Sequence, residues 1–162
     1  QLMKILGIDP GSRITGYGIV EKNRHGLVGG NYGEIRPPRN ASLAETLVSV
    51  YETLAELIAV RRPDALAIED IFYGKNVQSL IKQGHVRGVA ILAGARRDVP
   101  VYEYTPLEVK KAVVGYGRAE KSQVQTMIKA ILKLPTVPPP DAADALAVAV
   151  CHANFSGPAV AP

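Results

Sequence analysis

Four acidic side chains stand at positions that call for a chemical task. Asp9 closes the run Lys4-Ile5-Leu6-Gly7-Ile8, and Glu69 closes the run Ala65-Leu66-Ala67-Ile68. Asp141 and Asp144 lie three residues apart in a stretch otherwise made of Ala, Leu and Val. A carboxylate at the end of a buried strand is partly desolvated and needs a metal ion, a cation or N–H donors. Two acids at i and i+3 of a helix share a face. The plainer reading of that pair is Asp141 as an N-cap and Asp144 as a first-turn partner of the helix dipole. If all four converge, their charges repel unless cations neutralise them. Hard divalent ions such as Mg²⁺ or Mn²⁺ take oxygen ligands of this sort. Two such ions about 3.5–4 Å apart clamp the attacking and leaving oxygens of an in-line phosphoryl displacement. Phosphodiester hydrolysis is the chemistry to expect, and no Cys/His cluster offers a zinc site in its place.

The elements around the acids must do the positioning. Residues 4–9 read as a short buried strand ended by the Pro10-Gly11 turn, with Thr15 to Glu21 and Gly26 to Ile35 as the next two strands of an antiparallel meander. Ser42-Leu43-Ala44-Glu45 is a capping box, and apolar residues at helical spacing carry the helix to Arg61-Arg62. Ala65 to Ile68 is continuously apolar, the mark of a central strand of parallel type. Val77 to Ala95 reads as a helix whose small residues, Gly84, Gly88 and Gly94 among them, allow close packing on the sheet or on a second copy of itself. Val99 to Tyr104 is a fifth strand. Thr105 to Glu108 is a second capping box with Pro106 at the first helical position. Gly115 to Lys121 reads as a basic loop, Val124 to Leu132 as an amphipathic helix, and Asp141 to Asn154 as the last helix. The order predicts an α/β fold: a five-stranded mixed sheet, three antiparallel strands then two parallel, flanked by helices. It is expected as one domain over residues 3–155, with 156–162 a disordered tail.

Nineteen Lys and Arg against 15 Asp and Glu give a net charge of +4, a mild bias toward polyanions. Cys151 is the only cysteine, so no intramolecular disulfide forms and a cytoplasmic protein is expected. No secretory signal is expected, and no apolar run approaches the roughly 18 residues of a membrane span. Basic side chains gather in the expected loops, next to Phe72 and Tyr73 just past Glu69. Together they suggest a nucleic-acid surface with a stacking element. The DNA contacts expected are Arg13, Phe72, Tyr73, Lys75, Asn76, Lys110, Arg118 and Lys121.

Gly7-Ile8-Asp9-Pro10-Gly11-Ser12 with Thr15-Gly16-Tyr17-Gly18, Ala67-Ile68-Glu69, Ala119-Glu120-Lys121-Ser122-Gln123-Val124 and Asp141-Ala142-Ala143-Asp144-Ala145-Leu146 resemble the RuvC family of Holliday-junction resolvases. The likeness runs in order from Met3 to His152. It implies an RNase H-like fold and a homodimer that nicks two strands of like polarity across a four-way DNA junction. It also implies a functional link to the branch-migration helicase complex. It carries Asp9, Glu69, Asp141 and Asp144 over as catalytic acids holding Mg²⁺ or Mn²⁺, two ions per subunit. Lys121 matches a lysine near the scissile phosphate, Lys110 a second basic position, and Phe72 an aromatic that stacks on junction bases. The alternative is a catalytically silent RNase H-like nucleic-acid-binding module, which would be expected to lack one or more of the acids. An Asp-x-Gly turn before a hairpin also cradles phosphate in sugar-kinase and actin-like ATPases. Those proteins need a second similar domain, for which this chain is too short.

Overall fold

The structure is a computed structural model that describes residues 2–71 and 76–155. Strands β1 (Met3–Asp9), β2 (Thr15–Asn23) and β3 (Gly26–Ile35) form the expected antiparallel meander. Strand β4 (Ala65–Glu69) pairs parallel to β1, and β5 (Val101–Tyr104) pairs parallel to β4. The sheet order is β3-β2-β1-β4-β5, so β1 lies at its centre. β5 starts at Val101 rather than at Val99, since the intervening Pro100 has no N–H to give a ladder.

Helices α1 (Leu43–Arg61) and α2 (Val77–Ala95) cover one face of the sheet. Helices α3 (Pro106–Val114), α4 (Lys121–Ile131) and α5 (Pro140–Phe155) cover the other. Side chains alternate across a strand, so each strand divides its residues between two cores. Leu6, Ile8, Leu66 and Ile68 pack toward α1 and α2, whereas Ile5 and Ala67 pack toward α5. Each such large side chain, fully buried, contributes about 1.5–3 kcal/mol. The same alternation turns Asp9 and Glu69 to the α5 face. The registered pair Ile8 and Ile68 comes one residue before them, so the two acids end neighbouring strands side by side.

Residues 142–153 of α5 are buried except Asp144, because the helix is enclosed by the sheet on one side and by α3 and α4 on the other. A helix apolar all round is what such a position needs. It approaches the sheet over a bed of glycines. A methyl group at Gly7 would overlap the Ala145 carbonyl, one at Gly16 the Asp141 carbonyl, and one at Gly18 the Leu146 side chain. These close approaches, rather than turn geometry, are what demand glycine here.

Of the two predicted capping boxes, the second is complete: Thr105 Oγ1 accepts from the Glu108 N–H at 3.2 Å and Glu108 Oε2 accepts from the Thr105 N–H at 2.8 Å. The first is half formed: Ser42 Oγ accepts from the Glu45 N–H at 3.1 Å, but the Glu45 carboxylate accepts from the Ser42 hydroxyl rather than from its N–H. α4 begins at Lys121, the last residue of the expected loop, rather than at Val124, because Gln123 Oε1 accepts from the Glu120 N–H at 2.9 Å and starts the helix early. α5 begins at Pro140, with the Pro139 carbonyl accepting from the Ala143 N–H at 2.8 Å. Asp141 therefore lies inside the first turn and is not a cap. The small residues of α2 divide. Gly94 is buried against the sheet, where an added methyl group would lie 3.3 Å from Leu66 and Val101, whereas one at Gly88 would meet nothing and Gly88 faces outward. Arg87, immediately before Gly88, ties α2 to the sheet edge with Nη2 2.7 Å from Glu103 Oε1 and 3.6 Å from Asp70 Oδ1. Residues 156–162, expected as a tail, lie outside the described residues.

Candidate active site

The acids meet because three local features coincide. β1 delivers Asp9 on the α5 face, β4 delivers Glu69 beside it, and the glycine bed lets the first turn of α5 come down onto both. Carboxylate oxygens of Asp9, Asp141 and Asp144 all lie within 4.8 Å of one another. Two oxygens on opposite sides of a hard divalent ion stand roughly 4–5 Å apart, given bond lengths near 2.0–2.6 Å. The trio therefore fits a divalent cation, and its all-oxygen donors suit Mg²⁺-like ions rather than zinc. Glu69 borders this trio. It lines a cleft of about 340 Å³ with Asp144, Lys110, Lys121, Pro106, Val109, Val124 and Ala147.

The electrostatics match a site short of positive charge. Burial, then the charges of Asp144, Glu69 and Asp141, hold the Asp9 carboxyl well above its ordinary range, with Lys121 offsetting part of the effect. Burial and the neighbouring Asp144 raise the Glu69 carboxyl to about 7. Burial also raises Asp144, against the pull of Lys121. Lys121 Nζ lies 3.4 Å from Asp144 Oδ2 while most of its side chain is exposed, and that carboxylate holds its ammonium above the usual range. A lysine so placed stays charged and reaches both the acids and open solvent.

Arg13 is exposed on the turn after β1, and Arg118 is exposed on the loop before α4. Asn76 uses its side-chain oxygen to accept from the Ser79 N–H at 3.2 Å, capping α2. Phe72, Tyr73 and Lys75 lie outside the described residues.

Sequence reading missed the supports behind the acids. The glycine bed is one. The other is an aromatic cluster at the far end of α5, where the buried His152 has Nδ1 2.6 Å from the Tyr104 hydroxyl and its ring centroid 4.4 Å from that of Tyr102. Tyr104 pairs with Glu69 across the β4–β5 ladder, so this cluster fixes the strand next to the site. The alternation in Val101-Tyr102-Glu103-Tyr104 hinted at it, but only the fold shows that His152 is the partner.

A family model described as crossover junction endodeoxyribonuclease RuvC matches residues 5–152. The chain is 54% identical over 155 residues to the crossover junction endodeoxyribonuclease RuvC of Geobacter metallireducens, covering 96% of this chain and 94% of that protein. Among solved structures, a Thermus thermophilus RuvC superposes with a TM-score of 0.86 at 31% identity, covering 95% of each chain. T. thermophilus RuvC in complex with Holliday junction substrate superposes equally well, with a TM-score of 0.86 at 33% identity over 93% of each chain. Among the described residues, no helix is long and apolar enough to cross a membrane.

Proposed function

Because this chain belongs to the RuvC family of crossover junction endodeoxyribonucleases, we propose that it resolves four-way DNA junctions by paired, symmetric nicks in recombination and repair. The observation that carries the reading is the meeting of Asp9, Asp141 and Asp144 oxygens within 4.8 Å, from two elements more than a hundred residues apart in sequence. A silent binding module has no use for so costly a concentration of buried acids.

Asp9, Glu69, Asp141 and Asp144 would hold Mg²⁺ or Mn²⁺, two ions per subunit in this reading. Bound there, such ions supply Lewis acidity and a water activated near neutral pH for phosphodiester hydrolysis. The protein's own part is to fix the four carboxylates on rigid strand and helix ends, so that no acid must move to reach its ligand geometry. Lys121 brings a fixed positive charge to the phosphate, where negative charge grows during displacement. Lys110 adds a second cation on the cleft wall, and Arg13, Asn76 and Arg118 engage the flanking backbone. Phe72, Tyr73 and Lys75 complete the surface, with Phe72 stacking on junction bases. Residues 3–155 act as one nuclease domain.

A two-fold junction calls for a two-fold dimer with a self-complementary interface. Helix α2 offers one. Val77, Ile81 and Leu92 are each more than half exposed, and they share a face with Gly88, beside which there is open space. Val77, Ile81, Gly88 and Leu92 fall within about 60° around a helix of 3.6 residues per turn, an unbroken stripe. The dimer works in the cytoplasm alongside the branch-migration helicase complex.

The deciding experiment is a nicking assay on a synthetic four-way junction with Mg²⁺ or Mn²⁺. Paired nicks in strands of like polarity are expected. A junction left intact under both metals, although tightly bound, identifies a silent binding module instead.

A further inference from the structure

On the α1–α2 side of the sheet, away from the acid cleft, a second cleft of about 540 Å³ opens at the same end of β1. Four segments wall it: the turn between β1 and β2, the loop between β3 and α1, the first turn of α1, and helix α2. They bring Arg13, Arg39 and Lys82 together with the side chains of Ser12, Asn40 and Thr46. Among the described residues, no carboxylate lines the cleft. Among the described residues, none of these three cations has an acidic partner. Neighbouring cations do: Arg36 is paired with Glu34, and Arg87 with Glu103 and Asp70.

Three unpaired positive charges around one cavity repel one another, and an anion entering it removes that penalty. The hydroxyls and the amide add uncharged donors. Guanidinium groups in particular suit an anion whose charge is spread over several oxygens, since each can engage two oxygens at once. Position narrows the choice of anion. Arg13 follows Asp9 by four residues, so the two Cα atoms are at most about 14 Å apart. At about 3.4 Å of rise per nucleotide in one strand, the cleft lies within roughly four nucleotides of a phosphate held at the acids.

We propose that this cleft is a phosphodiester-binding subsite for the substrate strand, formed by Arg13, Arg39 and Lys82. It grips the backbone on the far side of the β1–β2 turn from the catalytic acids. The assignment rests on the junction-nuclease reading for its ligand. In this arrangement the turn becomes a saddle: one phosphate sits at the acids on the α5 side, and a nearby phosphate sits in the basic cleft on the α1–α2 side. Such a contact sets the register of the strand without reading its sequence.

The test uses the full chain with Arg39→Ala and Lys82→Ala, singly and combined, and Arg36→Ala as a nearby control that removes one charge, as each single variant does. Binding of a synthetic four-way junction is measured without divalent metal across a range of KCl concentrations. Each phosphate contact contributes about 0.9 to the log–log salt slope on duplex and about 0.7 on single strands, which is roughly tenfold in affinity per contact at 0.1 M salt. The double variant is expected to lose about 1–2 from the slope magnitude and to bind at least roughly tenfold more weakly. Its single-turnover rate at saturating enzyme should stay within about twofold of the parent, since the contact positions the strand and touches no reacting atom. Arg36→Ala should keep the parental slope. A double variant with the parental slope and affinity, in a protein that binds and cleaves junctions normally, overturns the subsite and leaves the function standing. An equal loss in Arg36→Ala also overturns it, because the effect would then be one of net charge. A parent protein that binds no junction overturns both readings together.

Discussion

Gly16 lies beneath Asp141 and opposite Asp9: it is the β2 partner of Asp9 in the ladder, and its Cα faces the Asp141 carbonyl so closely that no side chain fits between. One residue without a side chain thus sets the height of two of the clustered acids. Gly16→Ala should lift the first turn of α5, at an overpacking cost of about 1–3 kcal/mol. Displacement of reacting groups by about 1 Å can cost on the order of 100-fold in rate. A variant that stays folded by circular dichroism yet cleaves junctions about 100-fold more slowly is the expected result. An unchanged single-turnover rate would show that α5 relaxes without moving its acids.

The positions of Asp9 and Glu69 were legible because each ends an apolar run, and the run itself says which end of a strand is buried. The bed under α5 was not. Gly7, Gly16 and Gly18 read locally as weak points in strands, and their reason for being glycine lies over a hundred residues downstream. The α2 glycines were half legible. Gly88 and Gly94 are six residues apart, about 240° around a helix, so they could not serve the same face. One packs on the sheet and the other does not. The start of α4 was misread because Gly115 to Arg118 is loop-like, whereas the cap that ends the loop is made by the Gln123 side chain accepting from the Glu120 N–H.

Asp144→Asn separates chemistry from binding. Asp144 belongs to the oxygen trio, whereas the proposed contacts to the DNA backbone lie elsewhere. Cleavage should fall below detection in single-turnover assays, with junction affinity within about threefold of the parent, since contacts to phosphate dominate affinity. Parallel loss of affinity would place Asp144 in the binding surface as well.

Lys121→Ala removes a cation 3.4 Å from Asp144 whose side chain is largely in solvent. Its effect should appear in the chemical step, because phosphate charge grows only in the transition state. A loss of about 100-fold in single-turnover rate, against a loss of less than about tenfold in affinity, is expected. The two readouts falling together would mean that Lys121 acts as a plain backbone contact.

Gly88→Arg probes the α2 face. The space beside Gly88 is open, so the folded subunit tolerates the larger side chain, and its thermal midpoint should stay within a few degrees. At a two-fold interface the same change sets two bulky cations against each other. Light scattering should report the mass of a single chain, and an intact dimer sinks the assignment of this face.

The pH dependence of stability without metal follows from the raised carboxyls. Asp9, Glu69 and Asp144 are all held above their ordinary range, Glu69 at about 7. For an acid whose pKa is higher folded than unfolded, the folded state binds more protons between the two values, so stability falls as pH rises through that window. In EDTA the thermal midpoint should therefore drop as pH rises from about 4.5 past 7. Glu69→Gln removes one of the groups and should flatten part of that slope. Added Mg²⁺ or Mn²⁺ binds only the folded site and should restore the midpoint most at the alkaline end, where the acids are ionised. A midpoint in EDTA that holds level or rises between pH 5 and pH 8 would mean that the four acids do not share one desolvated site.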